Sequence, residues 1–491
     1  MKTTALYNKD DRMTYGILHA ILQQGGLTMA KTTLSDDWGL TTYQINKYFE
    51  AINADLHTIS QETPIYLDET QRGVWHANSL TTYALQRLGL LYLQRSNAFL
   101  VFEYRFLYSQ QQSKRDYIDS HAISTPVFYA TSTELDKLLH AAGFFTASGD
   151  GAEDAEYTLR LHLFELYYTA YTGVTTPFPS MNAVVEELLQ LCADFIGAPL
   201  RPTQITKLSL FLKLWLLRVK NGGTLAADRL DPTLLDKPAQ AFLQRVQRLL
   251  ADKQPVSARE TNYLYTFMIT QGLAPAIAPE QLRVAFPAAA RLSRDFIQAL
   301  QSQGELIDRS RLNTSQLHIS LDSIHLQFTT FFIEPTTFID PTQVSFFQDL
   351  YPGFDAVITG FIQDLQQAGT FALSQNMAVN LYFSYMFALI SAIPPRALND
   401  VVAICVDFSQ GVLYSDYVIQ TLAAFSHAHI VIEDNASDTT DIYISDFHSD
   451  LVDRPQVIWQ NPPTPNDWTN LADMILAIKQ EKTKGLLQGR A

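Results

Sequence analysis

The residues with the clearest chemical potential lie between Leu34 and Tyr48. Gly39 separates two helix-forming stretches, and glycine reaches positive φ at little steric cost. Leu34, Trp38, Leu40, Ile45 and Tyr48 fall at spacings that would fill the core between two steeply crossed helices, with Ser35 small where they cross. The second helix would then present Thr42, Tyr43, Gln44, Asn46 and Lys47 outward. These are hydrogen-bonding and cationic side chains suited to phosphates and to base edges in a DNA major groove. Arg72 lies on a polar tip between two short apolar runs, where it suits a phosphate or minor-groove contact. An ordinary helical hairpin with a glycine turn has the same pattern, and the β-hairpin expected next favours the DNA reading. Asp36 and Asp37 oppose it, because they sit beside the same face.

A second candidate spans residues 123–139, with Phe128, Leu135 and Leu138 as core and Ser132, Thr133 and Lys137 outward. Pro126 falls inside its first helix, Tyr129 stands where a turn glycine is expected, and Glu134 and Asp136 oppose nucleic acid. The stretch 81–115 is locally basic, with Arg87, Arg95, Arg105, Lys114 and Arg115 against Glu103. Cys192 and Cys405 are far apart and make neither a disulfide framework nor a metal cluster. His427 and His429 have no further ligand cluster, so no metal is expected. No compact acid–base or nucleophile–base constellation stands out. The sequence is therefore read as that of a non-enzyme without a cofactor.

These residues need elements to position them. Apolar spacing predicts helices over residues 13–24, 29–38 and 42–56, the second capped by Thr28 and the third by Thr41 or Thr42. Residues 65–67 and 74–76 read as a hairpin. Three helices followed by a hairpin is the order of a winged helix-turn-helix. Residues 118–123 and 132–142 read as a less regular helix pair. From about 159 to 394 the pattern is almost purely helical, in two sets of about five: the first includes 181–196, 204–220, 238–251 and 259–271. The second comprises 279–303, 314–332, 341–350, 354–367 and 375–392, which suggests a duplicated module. Pro394-Pro395 reads as a linker. Strands at 401–407, 430–433, 442–444 and 457–459 then alternate with helices at 414–424 and 467–479, an α/β pattern with a mainly parallel sheet.

Composition bounds the function. At 491 residues, roughly three to five domains are expected. The net charge of −15 argues against coating nucleic acid by bulk attraction, so DNA binding must rest on a local surface and on shape. No secretory signal or membrane span is read, and a cytoplasmic location is expected.

The combination resembles the Mga and AtxA family of virulence and transcription regulators of Gram-positive bacteria. The resemblance is carried by residues 34–55 and by Gly149-Asp150-Gly151 followed by Leu159-Arg160-Leu161-His162-Leu163-Phe164-Glu165-Leu166-Tyr167. It implies a multidomain, mainly α protein: a winged helix-turn-helix at 1–80, a second helix-turn-helix-like domain at 81–165, PTS-regulation-like domains at 166–278 and 279–395, and an α/β IIB-like domain at 396–491. It also implies binding to double-stranded DNA as a homodimer and a link to phosphotransferase-system phosphocarrier proteins. PTS-regulation domains are controlled through phosphorylated histidines, and only His318 and His325 are available for that here, in the second module; the other reading of His325, and the favoured one, is a half-buried structural histidine on a helix. A catalytic IIB domain carries a reactive cysteine before a phosphate-cradling loop. Here the loop falls at Phe408-Ser409-Gln410-Gly411 and Cys405 lies earlier, inside the strand, so the domain reads as non-catalytic and used for contacts. The alternatives are a PTS-regulated RNA-binding antiterminator, which would start with a β-rich RNA domain, and a phosphocarrier enzyme acting through Cys405 or His325.

Overall fold

The structure, a computed structural model, describes residues 3–24, 26–60, 63–142, 144, 154–274, 279–302, 314–332, 343–369, 373–393, 400–424, 430–459 and 462–488. It is mainly helical, with a small parallel sheet near the C-terminus. Two compact units divide the chain, Met1–Ala276 and Ile277–Ala491.

The first unit opens with α1 (Lys9–Gln23), β1 (Thr28–Ala30), α2 (Lys31–Trp38), α3 (Thr42–Ile59), β2 (Tyr66–Gln71) and β3 (Val74–Asn78). The strands form an antiparallel sheet in the order β1-β3-β2. Thr28 was expected to cap a helix starting at Met29. Instead Thr28, Met29 and Ala30 pair with His76, Trp75 and Val74, Met29 is buried, and α2 begins only at Lys31. The sheet partner, distant in sequence, overrides the local capping signal.

Next come α4 (Thr82–Gln94), α5 (Asn97–Glu103), which continues into a π-helical turn at Tyr104–Tyr108, α6 (Lys114–Ser120) and α7 (Thr125–Ala141). The helix pair expected within 118–142 is placed differently. Its turn lies at His121 and Ala122, and α7 runs unbroken through Tyr129. Ser124 caps α7 by accepting from the Val127 amide, and Pro126 falls in the first turn, where no helical N–H is required. Tyr129 is therefore mid-helix. Leu139 is fully buried, while Leu138 is only half-buried.

The rest of this unit is α8 (Ala155–Tyr171), α9 (Asn182–Ile196), α10 (Pro202–Lys220), α11 (Lys237–Leu250) and α12 (Ala258–Thr270). α8 crosses residue 165, so the expected second segment and first helical module share one helix. α12 is buried on every side from Glu260 to Thr270, as befits a central helix. Its polar groups are satisfied internally. Glu260 receives both arms of Arg160, at 2.7 and 3.0 Å, and the Trp215 indole N–H at 2.8 Å. Glu156 receives the Nε groups of Arg160 and Arg218 at 2.8 and 2.9 Å. A side chain at Gly223 would put its Cβ 2.3 Å from the Glu156 carboxylate, so the network needs glycine there.

The second unit contains α13 (Pro279–Ala285), α14 (Pro287–Ser302), α15 (Thr314–Thr330), α16 (Gln343–Leu350), α17 (Pro352–Ala368) and α18 (Gln375–Ala392). The single helix expected over 279–303 is broken at Phe286-Pro287, since Pro287 has no N–H to donate and its ring opposes continuation. Phe296, Leu321, Ile358, Tyr385 and Leu389 lie in one apolar core built by α14, α15, α17 and α18. After it come β4 (Val402–Val406), α19 (Val412–Ala424), β5 (Ile430–Glu433), β6 (Ile442–Ser445), β7 (Gln456–Ile458) and α20 (Pro465–Gln488). The strands are all parallel, in the order β5-β4-β6-β7. Every residue of β4 is buried, as in a parallel sheet covered on both faces. The acidic stretch 433–441 is a solvated loop, exposed from Asp434 to Thr439. It is organised: Glu433 accepts from Thr439 at 2.7 Å and also from Thr440, and Asp441 takes the Ala403 amide at 2.7 Å and pairs with Lys482. The expected linker at Pro394-Pro395 and the Gly149-Asp150-Gly151 turn lie outside the described residues.

Candidate nucleic-acid interface

α3 is started by a reciprocal cap. The Thr41 hydroxyl accepts from the Gln44 amide, and Gln44 Oε1 accepts from the Thr41 backbone N–H at 2.9 Å. The helix then buries Ile45, Tyr48, Phe49, Ile52, Leu56 and Ile59, a stripe at helical spacing. Gly39 takes φ 66° and ends α2, its N–H bonding to the Ser35 carbonyl. Leu34, Leu40, Ile45 and Tyr48 are buried between the helices as expected. Trp38 is not: it remains 37% exposed, with its ring edge against Gly16 of α1.

The opposite face of α3 carries Thr42, Tyr43, Gln44, Asn46 and Lys47, and all five are exposed, Tyr43 by 79%. The hairpin is fixed to the same helix. Asn53 donates to the Leu67 carbonyl at 2.9 Å and accepts its N–H at 2.6 Å, as a neighbouring strand would. Phe49 stacks on Trp75 with ring centroids 4.4 Å apart. At the tip, Gly73 has φ 83° and donates to Glu69, and Arg72 is exposed beside it. One rigid body thus carries both the polar face of α3 and Arg72.

Two of the five polar residues are less free than their types suggest. The Gln44 carbonyl oxygen is occupied by the cap, which removes the acceptor half of a bidentate adenine contact. Lys47 Nζ lies 2.8 Å from Asp10 Oδ2 on α1, and Tyr48 donates to the other Asp10 oxygen at 3.3 Å. These two donors hold the Asp10 carboxyl below its ordinary range, the Lys47 bond contributing most. Neither Asp10 nor the Asn53 clasp was found from the sequence. Contacts of this kind join separated elements, and no local spacing signals them.

The basic stretch 81–115 is similarly diluted. Arg95 grips Asp11 and Asp55, reaching the two Asp55 oxygens at 2.9 and 2.8 Å, and so ties α4 to α1 and α3. Arg105 is bound to Asp136 and Ser132. Lys114 and Arg115 stay exposed near the start of α7, Lys114 over the Tyr129 ring at 4.8 Å. On α7 itself Thr133 is exposed, Lys137 pairs with Glu134 at 2.8 Å, and Ser132 is half-buried under Arg105.

The regulatory candidates lie in the second unit. His325 is fully buried, with Nδ1 2.9 Å from the Ser293 hydroxyl and Nε2 2.8 Å from the Tyr385 hydroxyl. Burial pulls its pKa down to about 3. His318 is half-buried, and its buried Nδ1 has no hydrogen-bond partner among the described residues. Cys405 is buried in β4, where burial and nearby carboxylates raise its thiol pKa. In the loop at Phe408–Gly411, the Ser409 amide donates to Asp446 at 2.9 Å and the Ser409 hydroxyl bonds the same carboxylate. A carboxylate thus already sits on both donors of Ser409. Among the described residues, no three His, Cys, Asp or Glu side chains gather to hold a metal, and His427 and His429 lie outside those residues. No described helix is long and apolar enough to cross a membrane.

No protein-family model matches this chain, and no curated protein matches it.

Proposed function

We propose that this chain is a DNA-binding transcription regulator of the Mga type. On this reading α2, the Gly39 turn and α3 form a helix-turn-helix, and β2 and β3 form its wing. The observation that carries it is the pairing of one exposed polar helix face, Thr42, Tyr43, Gln44, Asn46 and Lys47, with an exposed Arg72 on a hairpin clasped to the same helix. A recognition helix in the major groove with a cationic wing beside it has these parts. The α6–α7 pair is a second, weaker reader, with Lys114, Arg115 and Thr133 outward. The protein acts in the cytoplasm as a homodimer, so that two half-sites match its symmetry. α8–α12 and α13–α18 serve as two PTS-regulation-like modules, of which only the second carries histidines placed to answer to phosphocarrier proteins, and the C-terminal sheet domain is a non-catalytic IIB-like contact domain. The Ser409–Asp446 clasp favours that last role, because both donors of Ser409 are already used.

The test is the triple replacement Gln44→Ala, Asn46→Ala, Lys47→Ala. It should leave helical content and melting unchanged within about 1 kcal/mol apart from the lost Gln44 cap contact. It should weaken binding to duplex DNA and flatten its salt dependence by about one counterion. Unchanged affinity and slope would refute this placement of the recognition helix.

A further inference from the structure

We infer that Asp10 is a specificity-determining residue of the proposed DNA interface: it occupies Lys47 as an internal stand-in for phosphate, so that DNA must displace a carboxylate to use that lysine. The inference rests on the DNA-binding reading above. Its own basis is geometric. Asp10 lies in the first turn of α1, and its two oxygens are held by Lys47 at 2.8 Å and by the Tyr48 hydroxyl at 3.3 Å. Tyr48 is itself a buried residue of α3, so one of the two contacts on the carboxylate comes from a packed side chain. Both charged side chains are more than half exposed, which makes the pair weak and exchangeable. A phosphate can take its place without rearrangement of the fold.

The consequence is discrimination. A carboxylate fixed beside the recognition helix opposes any passing phosphate backbone. A duplex that also offers base contacts to Asn46 and Tyr43 offsets the displacement, and one that does not is held less. This acts in the same direction as the chain's net charge of −15, but at the contact itself.

The experiment uses the full chain and a mixed-sequence duplex of about 30 base pairs, titrated over a range of KCl concentrations. Four proteins are compared: wild type, Asp10→Asn, Lys47→Ala and the double variant. A fifth, Asp252→Asn, removes an exposed acid outside the proposed interface, and so reports the effect of net charge alone. Asp10→Asn should tighten binding about two- to fivefold, the range of an exposed ion pair. The gain should largely disappear in the Lys47→Ala background and be absent in Asp252→Asn. Equal tightening by Asp10→Asn with and without Lys47 would overturn the inference, since only net charge would then be at work. No tightening by Asp10→Asn, while Lys47→Ala still weakens binding, would also overturn it and leave the DNA reading standing. If wild type fails to bind duplex, or neither Lys47→Ala nor Asp10→Asn changes binding, the DNA reading falls and the inference with it.

Discussion

His325 gives the second unit a calculable dependence on pH. Its ring is fully buried between Ser293 of α14 and Tyr385 of α18, with both nitrogens hydrogen-bonded. Burial lowers its pKa to about 3 in the folded chain. In the unfolded chain an ordinary histidine titrates near 6.5. Between these values the unfolded state binds more protons than the folded one, so stability rises with pH. The contribution is therefore fully present above about pH 6.5 and is lost as pH falls toward 3. At pH 5 the unfolded imidazole is almost wholly protonated and the folded one almost wholly neutral. The difference costs about 2 kcal/mol relative to pH 7 and above. Replacing His325 with Gln removes the titrating group while keeping a donor and an acceptor. The variant should lose stability at pH 7 but should lack this component of the pH slope. Hydrogen exchange of peptides from α14, α15 and α18, followed in increasing urea at pH 5, 6 and 7 and corrected for intrinsic rates, measures opening in this core. Wild type should lose about 2 kcal/mol more than the variant over that range. Parallel pH profiles for the two proteins would refute the buried-neutral assignment. The same burial bears on control, since a phosphoryl group reaches either ring nitrogen only after α15 separates from Ser293 and Tyr385.

Three further outcomes are expected. Phosphopeptides from sugar-fed and starved cells should carry phosphate on His318 and not on His325, because His318 is only half-buried, whereas the His325 ring is fully buried with both nitrogens hydrogen-bonded; phosphate found on His325 alone would reverse this order. Gly223→Ala should destabilise the first unit by about 1–3 kcal/mol, because the new methyl would press on the Glu156 carboxylate held by Arg160 and Arg218. A calorimetric melting profile no different from wild type would show that the network yields freely. Leu413→Asp and Phe447→Asp should shift the protein toward monomer in sedimentation without lowering its melting temperature, since Leu413 is 88% exposed and Phe447 is also exposed; an unchanged sedimentation profile would remove this face from assembly.

What the sequence made legible depended on the range of the interactions. The Gly39 turn, the buried positions of α3 and its exposed face were readable because each follows from period and from glycine's tolerance of positive φ. The four strands of the C-terminal sheet were readable for a related reason: each is a short apolar run, and β4 is buried throughout. Failures came where a distant partner decided. β1 looked like the start of α2 until β3 paired with it. Tyr129 was placed in a turn because the Ala122 turn carries no glycine to mark it. Arg95 and Arg105 looked like free cations, since nothing local shows that Asp11, Asp55 and Asp136 are folded against them. Arg160 was noticed only as part of a similar-looking passage. Its bidentate hold on Glu260 joins residues 100 positions apart.

That pairing of charges bears on how such a chain could hold DNA at all. Lys47 is engaged by Asp10, and Arg95 and Arg105 are engaged by carboxylates inside the first unit. Arg72 is left as an exposed arginine at the proposed interface with no ion pair among the described residues. Each phosphate contact contributes a counterion-release term of about 0.9 in the salt slope, so a single copy with only a few usable cations, Arg72, Lys114 and Arg115 among them, gains little non-specific affinity. Binding must then come from base contacts and from joining two such interfaces, because the second contact forms at high effective concentration once the first is made. The end of the chain could supply that joining. Deleting it is a poor test, however, because Gln480 of α20 donates to Asp349 of α16 and Leu486 packs on the helical core of the same unit. Surface substitutions at Leu413 and Phe447 leave those contacts in place. If they produce monomer, specific duplex binding should fall far more than the already weak non-specific binding. Equal losses in the two would show that affinity lies within one copy, and would remove the electrostatic case for a dimer.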